Sequence, residues 1–222
     1  MARFFKTGPG QYGEGDVFAG LSVPDVRLIA RAHRDLPLDD VLSLMGDRAH
    51  EHRLAAALLL ADRYQRAARR GDGAACTAVA AAYLAGRSGI NNWDLVDASA
   101  EHVLGPHWRT LGRTGRLARH RFARSSSLWE RRIAVLSTFH DIKLGDGDPA
   151  LEVCALLLHD REDLIQKASG WMLREVGKRV SRGDLLAFLD EHAAVMPRTI
   201  LRYAIEHLDP GLRAHYLGLR AR

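Results

Sequence analysis

The chain has 222 residues, 47% of them hydrophobic and 7% aromatic, enough for one domain with a substantial core and unlike a disordered, collagenous or disulfide-framed protein. Lys and Arg total 32 against 27 Asp and Glu, for a formal charge of +5, so the balance favours a polyanionic partner over an acidic-surface role. Cys76 and Cys154 stand alone in apolar surroundings, which excludes a disulfide network or a C-x-x-C metal site and makes both small core residues. His50 and His52 are spaced i, i+2 and point to different faces of a helix, and no H-E-x-x-H motif is present, so no metal and no cofactor are expected.

From the start, Phe4 to Asp16 carries Gly8, Gly10, Gly13 and Gly15 with Pro9, and residues 1–20 are expected to be irregular. The first residues lack a signal-peptide core and no apolar run approaches the roughly 20 residues of a bilayer span, so a cytoplasmic protein without membrane contact is expected. From Pro24 onward the pattern is one amphipathic helix after another, including the Ala/Leu run Leu54 to Ala61, with no sustained alternation that would mark a strand. Pro24 and Pro197 sit where helices begin, and Gly46, Gly105 and Gly145 mark breaks. Gly170 is different, because the helical period runs through it.

A weak repeat links the helices. His50 to Leu58 (H-E-H-R-L-A-A-A-L) resembles Trp129 to Ser137 (W-E-R-R-I-A-V-L-S), and Trp93, Trp129 and Ile165 open helices about 36 residues apart, with Leu201 near the next step. A period of about 35–45 residues without β signals predicts an all-α fold, a HEAT-like repeat α-solenoid forming a single domain over 1–222. Its concave face would suit duplex nucleic acid.

Three helices carry the residues of interest. After Asn91-Asn92, the apolar stripe Val96, Ala100, Val103 and Leu104 includes Trp93, while Asp97 lies one turn beyond Trp93 and to one side. An indole and a carboxylate so placed offer a π face and a negative charge to the same cation, whereas the plainer alternatives are a core tryptophan and a carboxylate paired with an arginine. Asp94 reads as a first-turn acid favoured by the helix dipole, with Asn91 or Asn92 as cap. Between Glu101 and Glu130 there is no carboxylate but there are Arg109, Arg113, Arg116, Arg119, Arg121 and Arg124, a basic patch better suited to phosphates than to solvent alone. One helix from Trp129 through His140 is expected next, with Ile133, Leu136 and Phe139 inward and Arg132 inside that arc, either reaching a phosphate or pairing with a carboxylate such as Asp97. In the helix Asp163 to Arg179, Lys167, Trp171, Arg174 and Lys178 form a basic stripe with an indole in its middle, apart from the apolar face Ile165, Ala168, Met172 and Val176.

The motifs N-N-W-D-L-V-D (Asn91 to Asp97), L-W-E-R-R-I-A (Leu128 to Ala134) and I-Q-K-A-S-G-W-M-L-R-E (Ile165 to Glu175) resemble the AlkD-like DNA alkylation repair glycosylases, with their mutual spacing kept. That resemblance implies a HEAT-repeat enzyme of base excision repair that acts as a monomer on double-stranded DNA. It would release cationic alkylated purines such as N7-alkylguanine and N3-alkyladenine, leaving the lesion largely in the duplex. By the same resemblance the catalytic trio is Trp93, Asp97 and Trp171, and Arg132 and Arg174 contact DNA. Lys167 and Lys178 extend that contact, and the family's N-terminal tyrosine falls beside Tyr12. An alkylated purine already carries positive charge, so its departure needs no general acid. Asp97 would stabilise the oxocarbenium ion left on the sugar and position water, with both indoles facing that cation. No lysine accompanies the trio as an evident Schiff-base nucleophile, although Lys167 lies one turn from Trp171, so a monofunctional enzyme is expected. The alternative is a non-catalytic repeat protein that binds distorted or branched DNA, for which a carboxylate on the binding face has no purpose.

Overall fold

The computed structural model describes residues 5–219, and Met1 to Phe4 and Arg220 to Arg222 lie outside that range. The described residues are all-α and contain no strand, only an isolated bridge between Val17 and Ala49. The chain forms two compact units, Met1–His107 and Trp108–Arg222. The first holds α1 (Val23–Ala32), α2 (Leu38–Met45), α3 (His50–Arg69), α4 (Gly73–Ala85) and most of α5 (Trp93–Thr110). The second holds α6 (Arg113–Ala123), α7 (Leu128–Ser137), α8 (Phe139–Lys143), α9 (Asp148–Leu156), α10 (Asp163–Arg179), α11 (Arg182–His192), α12 (Arg198–Ala204) and α13 (Pro210–Gly218).

Short polar side chains start many of these helices by accepting a backbone N–H that has no intrahelical acceptor. Ser22 and Asp25 close a capping box on α1, and Asp72, Ser127, Ser181 and Asp209 cap α4, α7, α11 and α13. Within the first unit α3 packs against α1, α2 and α4, burying Val26, Leu54, Leu60 and Tyr83. In the second unit α10 is central, packed on α7, α9, α11 and α12 through Ile165, Met172, Leu173 and Val176. Within each unit, helices packed on others near them in the chain are what a solenoid-like repeat implies.

Three local expectations change. The break expected at Gly105 is absent: α5 runs through Gly105 and Pro106 to Thr110. Pro106 removes one helical hydrogen bond, but Val103, Leu104 and Trp108 are buried on both sides of it and hold the helix in register. The single helix expected from Trp129 through His140 is divided at Thr138 into α7 and α8. There the Ser137 hydroxyl donates to the Ala134 carbonyl at 2.8 Å and the Thr138 hydroxyl to the Val135 carbonyl at 2.6 Å, occupying acceptors that a continuing helix would use. Of the two cysteines, Cys154 is buried and Cys76 is only half-buried. No helix among the described residues is long and apolar enough to cross a membrane.

Candidate functional site

In the first unit, Trp93 and Asp97 stand one turn apart at the start of α5, both half-buried. Asp97 lines a pocket of about 300 Å³ together with Arg27 and Arg31 of α1, Asp62 and Gln65 of α3, and His102 of α5. The expected acid of the first turn, Asp94, has a more specific partner than the helix dipole: its Oδ2 accepts from His50 Nε2 at 2.7 Å. Asn92, just before Trp93, accepts the Trp93 N–H at 2.8 Å and donates to Asp16 Oδ2 at 3.1 Å. Phe5 packs on the indole of Trp93, with ring centroids 5.5 Å apart.

The glycine-rich segment that holds Phe5, Tyr12 and Asp16 lacks helix but is tied to the N-terminus of α3. The Val17 carbonyl accepts the His50 N–H at 2.8 Å, and the Glu51 carboxylate accepts the Ala19 and Gly20 amides at 2.8 and 2.9 Å. Arg53 donates to Asp16 at 2.6 Å and to the Asp47 and Arg48 carbonyls. Tyr12 is half-buried in this segment. Sequence reasoning singled out neither His50, Glu51 nor Arg53 as a site residue. The available signal was the run H-E-H-R directly ahead of the apolar run Leu54 to Ala61, where three charged or ionisable groups turn inward and are at most 4% exposed.

His50 is held as a cation. Burial opposes charge on its ring, but the Asp16 and Asp94 carboxylates outweigh burial and raise its pKa from 6.5 to about 9. Because the folded value lies above the unfolded one, the ring's contribution to stability is fully present below pH 6.5 and is lost as pH rises through about 9. A gap of that size corresponds to roughly 3 kcal/mol. Thermal melts between pH 6 and 10 are therefore expected to show a decline toward the alkaline end that is flattened in His50→Gln; parallel curves for the two proteins would contradict it.

In the second unit α10 places Trp171 half-buried, with its ring 5.7 Å from that of Phe139. Its Nε1–H donates to Glu175 Oε1 at 3.3 Å. Glu175 is buried in the midst of the basic stripe and also takes Arg179 at 2.6 Å and Arg174 at 3.5 Å. Burial works against its charge, yet Arg179, Arg174 and the Trp171 N–H together keep its pKa below the usual carboxylate value. Glu175 went unnoticed in the sequence because its neighbours on the helix suggested a purely basic face. Arg174 pairs in addition with Glu206, Lys167 with Asp163 at 2.7 Å, and Lys178 is exposed.

Arg132 of α7 is 5% exposed and donates through Nη1 to the Leu164 carbonyl at 2.6 Å. The repeat register equates it with Arg53, which is buried in the same way and likewise donates to backbone carbonyls. Arg132 thus fastens α7 to the first turn of α10, the helix that carries Trp171. Arg132→Ala is expected to lower stability by about 1–3 kcal/mol, since it removes a buried guanidinium and leaves a partly buried carbonyl short of a donor, as a denaturant titration would read.

The basic patch expected between Glu101 and Glu130 is compensated in part within its own unit. Arg109 pairs with Asp141 and Asp146, Arg119 with Asp141, and Arg116 and His120 with Glu152. A stretch without carboxylates in sequence is balanced by carboxylates some 30 residues later, folded against it. Among the described residues no group of three or more His, Cys, Asp or Glu side chains is arranged to hold a metal ion.

Comparison with known proteins bears on the fold and the family. A solved structure from Enterococcus faecalis, described as a predicted DNA alkylation repair enzyme, superposes with a TM-score of 0.66 at 20% identity, covering 90% of this chain and 92% of that one. No curated protein sequence matches the chain. The family model for DNA alkylation repair enzymes matches residues 1–208, which is nearly the whole chain. The chain therefore belongs to the DNA alkylation repair enzyme family.

Proposed function

We propose that this member of the DNA alkylation repair enzymes is a monofunctional DNA glycosylase that releases cationic purines, N7-alkylguanine and N3-alkyladenine, from duplex DNA. Family membership carries the coarser part, a role in alkylation repair with DNA as substrate. The observation that carries the finer part is Asp97: a carboxylate one turn from a half-buried indole, on the wall of a pocket that also holds two arginines. A surface that only bound a polyanion would gain nothing from that negative charge, whereas a sugar acquiring positive charge as the base leaves is stabilised by it. Trp93 supplies a π face to that cation, Trp171 is assigned the same role on the resemblance of its motif, and Asp97 orients or deprotonates the water that attacks the sugar. Lys167 pairs with Asp163 at 2.7 Å, an exposed pair too weak to withhold its amine, so monofunctional chemistry is judged by its product, an abasic site in an uncut strand.

Arg174, Lys167 and Lys178, with Tyr12 from the N-terminal segment, are assigned to DNA contact, Arg132 joins them only with the part of its guanidinium not spent on the Leu164 carbonyl, and the protein is taken to act as a cytoplasmic monomer. Arg174 faces the competing carboxylates of Glu175 and Glu206, which a phosphate would replace in part. DNA affinity should therefore fall steeply with salt, and Arg174→Ala should lower the slope of log K against log salt by about 1. An unchanged slope would remove Arg174 from the interface. The glycosylase itself is tested by incubating wild type with alkylated duplex DNA and measuring free methylpurines. Their release, with an abasic site left in the strand, is the expected result. Tight, salt-dependent binding without release would replace it with the non-catalytic DNA-binding reading.

A further inference from the structure

We propose that His50, clasped between Asp16 and Asp94, is a positioning residue that holds the Trp93 indole in its working orientation. The inference rests on the reading of Trp93 as part of the glycosylase site. His50 is wholly buried at the first residue of α3, with Nε2 2.7 Å from Asp94 Oδ2 and Nδ1 3.5 Å from Asp16 Oδ2, an ion-pair distance. Nε2–H serves Asp94, while Nδ1 makes no hydrogen bond and meets Asp16 through charge alone, an attraction that a second proton on the ring supplies. The rings of Phe5 and Phe18 lie 4.9 and 5.0 Å from the imidazole and offer a cation two aromatic neighbours.

The clasp closes around one short stretch, Asn92-Trp93-Asp94. Asn92 is held by Asp16, Asp94 by His50, and the indole between them by Phe5, itself packed on His50. His50 thus reaches Trp93 by two routes, one through the backbone of the adjacent residue and one through a ring. The charged groups around it are Asp16 and Glu51, Arg53 on Asp16, and Asp94 from α5. The neutral ring keeps one N–H, on Nε2 and bonded to Asp94, so loss of the proton falls on the Nδ1 side, where Asp16 keeps Arg53 and Asn92 but is no longer attracted by the ring. The tie between α3 and the first turn of α5 is reduced from an ion pair to a neutral hydrogen bond, and Phe5 loses the cation beneath it. Burial opposes the charge and the two carboxylates outweigh it, which places this loss near pH 9.

Trp93 can be followed without DNA and without activity. The protein is labelled with 5-fluorotryptophan, its four tryptophan signals are assigned by single Trp→Phe substitutions, and the ¹⁹F spectrum is recorded from pH 7 to pH 10. The expected result is a Trp93 signal that moves with a midpoint near pH 9 while the Trp129 and Trp171 signals stay in place. In His50→Gln the Trp93 signal should be displaced at pH 7 and insensitive to pH, and His50→Lys, which restores a positive charge, should return it part of the way. A Trp93 signal that ignores both pH and His50→Gln overturns the proposal, and the wild-type titration gives that answer even if the variant does not fold. Single-turnover excision at saturating enzyme is measured in parallel, with at least a fivefold loss expected in His50→Gln. If Trp93 responds as described but wild type releases no base, the positioning contact stands and the glycosylase reading falls.

Discussion

Asp97→Asn is expected to slow single-turnover release of methylated purines by between about tenfold and a thousandfold at matched DNA occupancy. The substitution keeps the shape of the side chain and removes only its charge, so it isolates the electrostatic term. At a separation of about 4 Å and an effective dielectric near 20, opposite unit charges attract by about 4 kcal/mol. A transition state that carries only part of the charge would realise part of that. Each 1.4 kcal/mol corresponds to about a factor of ten in rate, which sets the expected range. DNA affinity should stay the same or rise slightly, because a carboxylate near phosphates is repelled by them, while Arg174→Ala should weaken binding. This contrast separates chemistry from occupancy. A mutant that releases base at the wild-type rate would remove Asp97 from the mechanism, and one that loses rate only through weaker binding would make it part of the docking surface.

Gly170→Ala should cost stability at the contact between α10 and α12 for the addition of a single methyl group. A Cβ there would lie 2.5 Å from the Tyr203 Cβ and 2.6 Å from the Ile200 carbonyl oxygen, so α12 has to retreat from α10. The obstructing atoms belong to or adjoin backbone and cannot swing aside as a side-chain tip would. Alanine gains about 1 kcal/mol over glycine inside a helix, but forced overpacking costs about 1–3 kcal/mol or more. The clash should win by about 1–2 kcal/mol and lower the melting temperature by several degrees. Gly73→Ala provides the comparison: it opens α4 with nothing within 4 Å of the added carbon, so it should be neutral or mildly stabilising. A rise in melting temperature for Gly170→Ala would mean that α10 and α12 can separate without cost. Since Gly170 adjoins Trp171 and Arg174 pairs beyond α12 with Glu206, excision should fall as well.

Local chemistry in the sequence determined much of this protein. The absence of alternating apolar patterns and the succession of amphipathic stretches are enough for an all-α fold, and the limits expected for the helix Asp163 to Arg179 are those of α10. Trp93 and Asp97 lie on one turn because helical spacing alone puts them there. Gly170, conspicuous for interrupting no period, is small because another helix passes against it, and only the packed structure names that helix. The same holds for the charges. The arginines from Arg109 to Arg119 look like an open basic patch until Asp141, Asp146 and Glu152 fold against them, and the stripe around Trp171 looks wholly basic until Glu175 is seen turned inward to take its cations. His50 meets Asp16 across 34 residues of chain and Asp94 across 44. Propensity, capping and periodicity act over a few residues and are written in the local order of side chains. Ion pairing and close packing are decided by which distant segments share a low-dielectric interior, which only the tertiary structure settles.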